Sequence, residues 1–313
     1  MNILVTGGMG FVGSHLVEEL VKEKHKITIV TKSLKKRKNV LSIQKKIKVE
    51  KCNITNFSKL EKIIEKCNPE LIIHLAGITS HSESFDKPMK DIDSNAKSTL
   101  FMLEKIRKDF PKCKFLLGST FIVIGRPKKL PVDEYSECNP TTIYGTNRLA
   151  SENYCKIFHE MYGINTKIFR ITNSYGPREQ IIPKKNAVNF LINQSQKKGS
   201  ITIFNDGKFF RDLIYISDVI SGIQKIIKKG RPGELYWIAS GKKTWFYDLA
   251  NILRDETNCS INYTKTPTYT KKVDVGSFQV NNLKLKRLGW TPKISVEDGI
   301  KKTIKFLKYR KKL

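Results

Sequence analysis

An α/β fold built on a doubly wound parallel sheet, with a smaller α/β region beside it, is predicted by three features of this 313-residue chain. The sequence opens on a strand, a glycine turn and a helix. Short continuous apolar runs then alternate with segments of helical period as far as residue 171. From about residue 175 the pattern becomes irregular, with more turns and prolines.

The opening unit is MNILVTGGMGFVG. Residues 2–6 form a short apolar run that reads as a buried strand. Gly7, Gly10 and Gly13 follow with the spacing G-x-x-G-x-x-G. Leu16, Val17, Leu20 and Val21 then recur at helical spacing. Glycine permits a tight turn and close approach to the backbone. The N-terminus of this helix offers free N–H groups and a positive dipole end. Strand, glycine turn and helix in this order predict a site for the pyrophosphate of a dinucleotide, on Gly7, Gly10, Phe11, Val12 and Gly13.

The next elements repeat the alternation. KITIV (26–30) reads as a second strand and IKVEKCN (47–53) as a third. NFSKLEKIIEKC has helical period and is broken by Pro69. ELIIHLAG (70–77) is a continuous apolar run, as a strand buried on both faces should be. Residues 95–110 read as an amphipathic helix, 114–120 as a fifth strand, 144–163 as a long helix and 165–171 as a sixth strand. This βαβα order predicts a Rossmann-type sheet in a dinucleotide-binding domain over residues 1–172. Residues 173–313 are assigned to an interleaved substrate-binding region. Within them ITIF (201–204) and ELYWIAS (234–240) are expected to return to the first sheet or its edge.

Composition narrows the function. Hydrophobic residues make up 39% of the chain, enough for a large core, and no run of eighteen apolar residues predicts a membrane span. The six cysteines lack C-x-x-C pairing and the five histidines lack ligand spacing. They predict free thiols in a reducing cytoplasm and no metal site. The N-terminus enters a strand directly, without a leader pattern. Lysine and arginine number 58 against 29 acidic residues, a net charge of +29. Such a field attracts anions, whether nucleotide sugars, nucleic acid or acidic lipid head groups. The lysines are spread along the chain, and no aromatic-interleaved basic motif predicts nucleic acid as a partner.

TGGMGFVG at the start, HLAG at the fourth strand and GSTFIVIG at the fifth stand in a recognisable order. YGTNR on the long helix, FRITNSYGPRE, RDLIYISDV and RLGWTPKISVEDGI follow. Over nearly its whole length the chain thereby resembles the extended short-chain dehydrogenase/reductase family, the nucleotide-sugar epimerases and dehydratases. The resemblance implies a catalytic hydroxyl, tyrosine and lysine. They fall on Thr120, Tyr144 and position 148, where this chain carries Arg148. A cation beside a tyrosine favours the phenolate, so the phenol can take a proton from a sugar hydroxyl. Arginine keeps the charge but is bulkier and planar, so the exchange is not conservative.

The same resemblance implies the binding residues. NAD-preferring members end the second strand with an acid; here Thr31 and Lys32 stand there, so NAD and NADP both remain open. Asn53 and Ile54 would flank adenine, Ala76 and Gly77 would let the backbone approach the cofactor, and Asn95 would lie near the active site. Ser80, with His81 and Ser84, would line a sugar pocket. Asn173, Asn189, Phe190 and Arg211 would bind the nucleotide sugar, with Lys271 and Asp274 completing the set.

Phe121 and Ile122 stand where 4,6-dehydratases carry Asp-Glu, and neither can exchange a proton. What is left is hydride chemistry at one sugar carbinol. A UDP-glucose-type 4-epimerase leads. An NADPH-dependent 4-keto-sugar reductase and a catalytically weakened cofactor-binding protein stand as alternatives. Pairing of helices 95–110 and 144–163 with those of a second copy is the implied homodimer.

Overall fold

The computed structural model describes residues 1–79, 81–181, 187–267 and 273–310. Seven parallel strands form the central sheet: β1 (Asn2–Thr6), β2 (Lys26–Thr31), β3 (Ile47–Lys51), β4 (Leu71–His74), β5 (Lys114–Thr120), β6 (Thr166–Ile171) and, after four short strands described below, β11 (Leu235–Ile238). Their order is β11-β6-β5-β4-β1-β2-β3. The direction of winding therefore reverses between β1 and β4, which opens a crevice at the C-terminal ends of these two strands.

Alternate side chains of each strand enter two apolar layers. Ile3, Val5 and Ile29 pack under α1 (Phe11–Lys22), through Leu16, Val17 and Leu20. Leu4, Val30, Ile72 and Leu117 face the other way. There they meet Ile63 and Ile64 of α2 (Phe57–Cys67), Met102 and Ile106 of α5 (Ser98–Asp109), and Phe158 of α6 (Ile143–Tyr162). Between β4 and α5 lie the short helices α3 (His81–Asp86) and α4 (Pro88–Ile92). A π-helical turn, Asp93–Lys97, joins α4 to α5.

The remaining chain builds a second region on the same core. α7 (Ala187–Lys198), α8 (Ile216–Lys229) and α9 (Phe246–Thr257) contribute Ile192, Ile223 and Leu253 to the layer that holds α1. The C-terminal helix Val296–Arg310 adds Ile300 and Ile304 to it. Three two-stranded pairs frame the region. β7 (Asn173–Tyr175) pairs with β10 (Leu213–Tyr215), β9 (Phe210–Arg211) with β12 (Thr244–Trp245), and β8 (Ser200–Phe204) with β13 (Ser260–Thr264).

The β8 pairing corrects one expectation. ITIF does not return to the main sheet, whereas the ELYW segment does, as β11 beside β6. The pattern explains the difference. β8 buries only Ile201 and Ile203, one face of the strand, whereas all four residues of β11 are buried. A strand with one apolar face does not suit the interior of a sheet covered on both sides.

Asp212 ties the two regions together. Its fully buried carboxylate accepts from Ser240 N and Oγ (2.7 and 2.8 Å), Gly241 N (2.9 Å), Val280 N (3.3 Å) and Thr172 Oγ1 (3.4 Å). The loop after β11 is thereby fixed beside Arg211.

Candidate active site

The crevice begins at the glycine turn. Gly7 has φ +73° and donates to Val30 O of β2 at 3.0 Å, while Gly10 N closes the turn on Gly7 O at 2.8 Å. A Cβ on Gly7 would stand 3.0 Å from Ala76 N, and one on Gly13 would stand 2.3 Å from Gly7 O. Both positions therefore require glycine. Gly10 is the N-cap of α1, and no side chain caps that end and no acid lies in its first turn. The N–H groups of Phe11, Val12 and Gly13 have no helical partner, and the dipole adds positive character there.

On the other side of the crevice, His74 holds the ends of β1 and β4 in register. Thr6 Oγ1 lies 2.7 Å from His74 Nδ1 and accepts from Leu75 N (3.2 Å) and Ala76 N (3.1 Å). Ser98 Oγ donates to Ser94 O at 2.8 Å, so at 3.3 Å from His74 Nε2 it can accept. This pattern assigns the imidazole proton to Nε2. Burial, and then the charge of Arg148, hold His74 far below the ordinary histidine range, so the ring is neutral.

Gly77 follows directly. A Cβ there would stand 2.2 Å from Asn95 Oδ1 and 3.8 Å from Arg148 Nη1. Asn95 comes from the π-helical turn, a feature found often at functional sites. Its Nδ2 donates to Ile78 O at 3.1 Å, and its carbonyl accepts from Ser151 Oγ of α6 at 2.8 Å. Asn95 Oδ1 and Arg148 Nε are both buried without a partner. A glycine cradle beside two orphaned polar atoms, reached from an uncapped helix end, fits a dinucleotide.

Tyr144 and Arg148 stand one turn apart on the same face of α6, both buried. Thr142 Oγ1 caps that helix by accepting from Gly145 N at 3.0 Å, which fixes where Tyr144 starts. The Tyr144 hydroxyl is hydrogen-bonded to the Thr120 side chain at the end of β5. Thr120 Oγ1 also accepts from Ile122 N at 3.3 Å. The structure thus gathers Thr120, Tyr144, Arg148, Asn95 and Gly77. It modifies one expectation. Burial pushes the Tyr144 phenol above its ordinary range; Arg148 and Thr120 pull it back only in part, and Asp91 adds to the rise. Desolvation of a buried phenolate outweighs one neighbouring cation.

Asp91 escaped the sequence reading. It lies one turn before Asn95, is fully buried and accepts from Asn147 Nδ2 at 2.8 Å. Its D-x-x-x-N spacing was the available signal. His74 was visible within HLAG, but its role depends on packing that the motif does not state.

A second cluster lies across the crevice. Arg211 is buried, stacks over Phe209 and binds Asp274 Oδ1 at 2.6 Å. Arg126, also missed from sequence, donates to Asp274 O at 3.1 Å. Thr141 Oγ1 donates to Val273 O at 3.3 Å, docking this segment near the start of α6. Asn173 Oδ1 is buried without a partner. Asn189 does not offer its amide to the crevice. Its Nδ2 donates to Gly176 O at 2.7 Å and its Oδ1 accepts from Gly176 N at 3.2 Å, so it holds the loop. Phe121 stacks edge-on with Phe278, and Ile122 is buried. Ser80 and Lys271 lie outside the described residues.

At the far end of the crevice Asn53 is exposed at the end of β3, with Ile54 buried behind it. Thr31 ends β2 and Lys32 is exposed beside it. Among the described residues no cluster of His, Cys, Asp or Glu is suited to a metal, and no helix is long and apolar enough to cross a membrane.

Known proteins share this architecture. A protein of Methanocaldococcus jannaschii, provisionally named a UDP-glucose 4-epimerase, is 32% identical over 309 residues, covering 98% of both chains. The human dTDP-D-glucose 4,6-dehydratase is 29% identical over 321 residues, covering 97% of this chain and 89% of the relative. The crystal structure of a UDP-glucose 4-epimerase from Thermotoga maritima with UDP-glucose superposes with a TM-score of 0.90 at 29% identity, covering 99% of each chain. A UDP-glucuronic acid 4-epimerase from Bacillus cereus, in complex with UDP-glucuronic acid and NAD, gives a TM-score of 0.86 at 26% identity over 98% of this chain and 99% of its own. The sequence model of the NAD dependent epimerase/dehydratase family matches residues 3–239, and with these relatives it establishes that the chain belongs to that family.

Proposed function

We propose that the chain is a nucleotide-sugar 4-epimerase acting on a UDP-sugar of the UDP-glucose type. The observation that carries this reading is the Thr120–Tyr144 hydroxyl pair beside Arg148, with apolar Phe121 and Ile122 where an acid pair would be needed for dehydration. Gly77 and the α1 N-terminus would hold an oxidised nicotinamide dinucleotide, which when bound would supply the hydride acceptor. Tyr144 takes the proton of the C4 hydroxyl and returns it after the 4-keto sugar has turned over. Thr120 steadies the same oxygen. Arg148 holds positive charge next to it and presents Nη1 towards Gly77. Arg211 and Arg126, gathered on Asp274, would grip the diphosphate.

The T. maritima enzyme solved with UDP-glucose and the M. jannaschii relative support the choice of sugar nucleotide. Exposed Leu100 on α5 and exposed Ile157 and Met161 on α6 support pairing with a second copy through these helices, which a molar-mass measurement tests directly.

Incubation with UDP-glucose or UDP-galactose should converge on one mixture from both directions, and deuterium placed at C4 should stay in the product. Accumulation of a keto sugar contradicts the reading. Product formed only when reduced dinucleotide is added in stoichiometric amount would favour the reductase.

A further inference from the structure

We propose that this chain selects the 2′-phosphorylated dinucleotide, NADP(H), over NAD(H), with Lys32 and Lys36 holding the 2′-phosphate, on the reading of the glycine turn as a dinucleotide site.

Position is the first support. Gly7 N donates to Val30 O at 3.0 Å, so residues 31–36 leave the sheet directly beside the glycine turn. In a dinucleotide fold the residue at this strand end meets the adenosine ribose. A carboxylate there binds the ribose hydroxyls and repels a phosphate, whereas a nearby cation accommodates one. Thr31 carries no charge, and its hydroxyl is turned back into its own turn. It donates to Ser33 O at 3.0 Å and accepts from Ser33 N at 3.4 Å.

The second support is the segment that follows. Leu34–Lys46 holds two short 3₁₀ stretches that meet at a kink at Val40, the first capped where Ser33 Oγ accepts from Lys35 N at 3.2 Å. That first stretch folds back onto the glycine turn, for buried Asn39 donates from Nδ2 to Met9 O at 3.1 Å. Residues three apart eclipse in a 3₁₀ helix. Lys36 therefore stands one turn from Asn39, on the face directed at the glycine turn.

Charge is the third support. Burial, and then the Lys32 ammonium, hold Lys36 below the ordinary lysine range, although the residue as a whole is exposed. Among the described residues no carboxylate lies within ion-pair distance of Lys32, Lys36 or Arg37. Glu18 of α1 reaches this segment, accepting from Ser42 Oγ at 2.9 Å, but it is bound to Arg178 at 2.8 Å. Lys105, by contrast, is met by Glu61, Glu65 and Asp109. Two like charges brought together without a counter-ion favour a doubly charged phosphate monoester between them.

Calorimetric titration of the cofactor-stripped full chain tests the proposal, with NADP⁺ against NAD⁺ and 2′,5′-ADP against 5′-AMP. NADP⁺ should bind at least about tenfold more tightly, and 2′,5′-ADP should outbind 5′-AMP. Ligand released from the protein as purified should have the mass of the phosphorylated dinucleotide. Replacing Lys32 and Lys36 together by alanine should bring the affinity ratio close to one, and Thr31→Asp should reverse it. Tighter binding of NAD⁺ by the wild-type chain overturns the proposal, and an unchanged ratio in the double variant overturns the role of the two lysines. Failure to bind either dinucleotide would instead remove the glycine-turn reading on which it stands.

Discussion

Tyr144→Phe should lower turnover of a nucleotide sugar on the order of a thousandfold while leaving dinucleotide affinity within about twofold. The substitution removes one oxygen and keeps the ring. That ring is buried in the layer formed by Ile122, Val123 and Phe278, so its packing survives. Thr120 Oγ1 still accepts from the Ile122 N–H and, being only partly buried, can turn its own proton to solvent. On the proposed reading the pyrophosphate would lie on Gly7, Gly10 and the start of α1, a different part of the crevice. Chemistry and binding should therefore separate. Steady-state rates and a calorimetric titration on the same preparation read both. Near-normal turnover would place proton transfer on another group.

The second large effect is on stability. Glu152→Ala should remove about 3–5 kcal/mol, the range for breaking a buried ion pair from one side. Glu152 and Arg170 are both essentially inaccessible, with Arg170 Nη2 to Oε2 at 2.6 Å and Nε to Oε1 at 3.0 Å. Ser119 Oγ donates to the same carboxylate, and the guanidinium stacks over Trp237. The pair thus fastens α6 to β5, β6 and β11 at once. Without the carboxylate, the buried guanidinium keeps only Cys138 Sγ as a hydrogen-bond partner among the described residues, at 3.1 Å. Glu152 lies one turn beyond Arg148, and Ser119 immediately precedes Thr120. Loosening the pair should also blur the hydroxyl contact with Tyr144. Urea unfolding should show the loss directly, and replacing both partners by apolar residues should recover much of it. A loss under about 1 kcal/mol would mean that the pair does not anchor the helix.

Much of this site was legible in the sequence because its parts are local. The strand, glycine turn and helix over the first 22 residues follow from apolar runs and glycine spacing alone, and β1 spans the same residues as read. The four-residue spacing of Tyr144 and Arg148 puts them on one helix face in any helix. The pairing of β8 with β13 was harder, because an apolar run does not name its neighbour. Even so, the alternation in SITIF carried the clue that one face would stay polar. Contributions from separate elements were not legible. Asp91 and His74 matter through burial, and they and the exposed Arg126 act through partners 56, about 24 to 68, and 148 residues away in sequence. The acidity of Tyr144 is the plainest case. Sequence supplies the neighbouring cation, but burial is a property of the assembled layers, and burial wins.

On the proposed reading Tyr144 carries the proton, with an acidity set by burial against Thr120 and Arg148. The pH dependence of kcat/KM for the wild type beside Arg148→Met tests it most directly. The phenol is held above its ordinary range, so the wild-type rate should climb with pH through the neutral region. Removing the guanidinium raises the phenol further, since a cation favours the phenolate, and the climb should shift to higher pH by about one unit. Flat profiles, or two profiles that superimpose, would contradict the account.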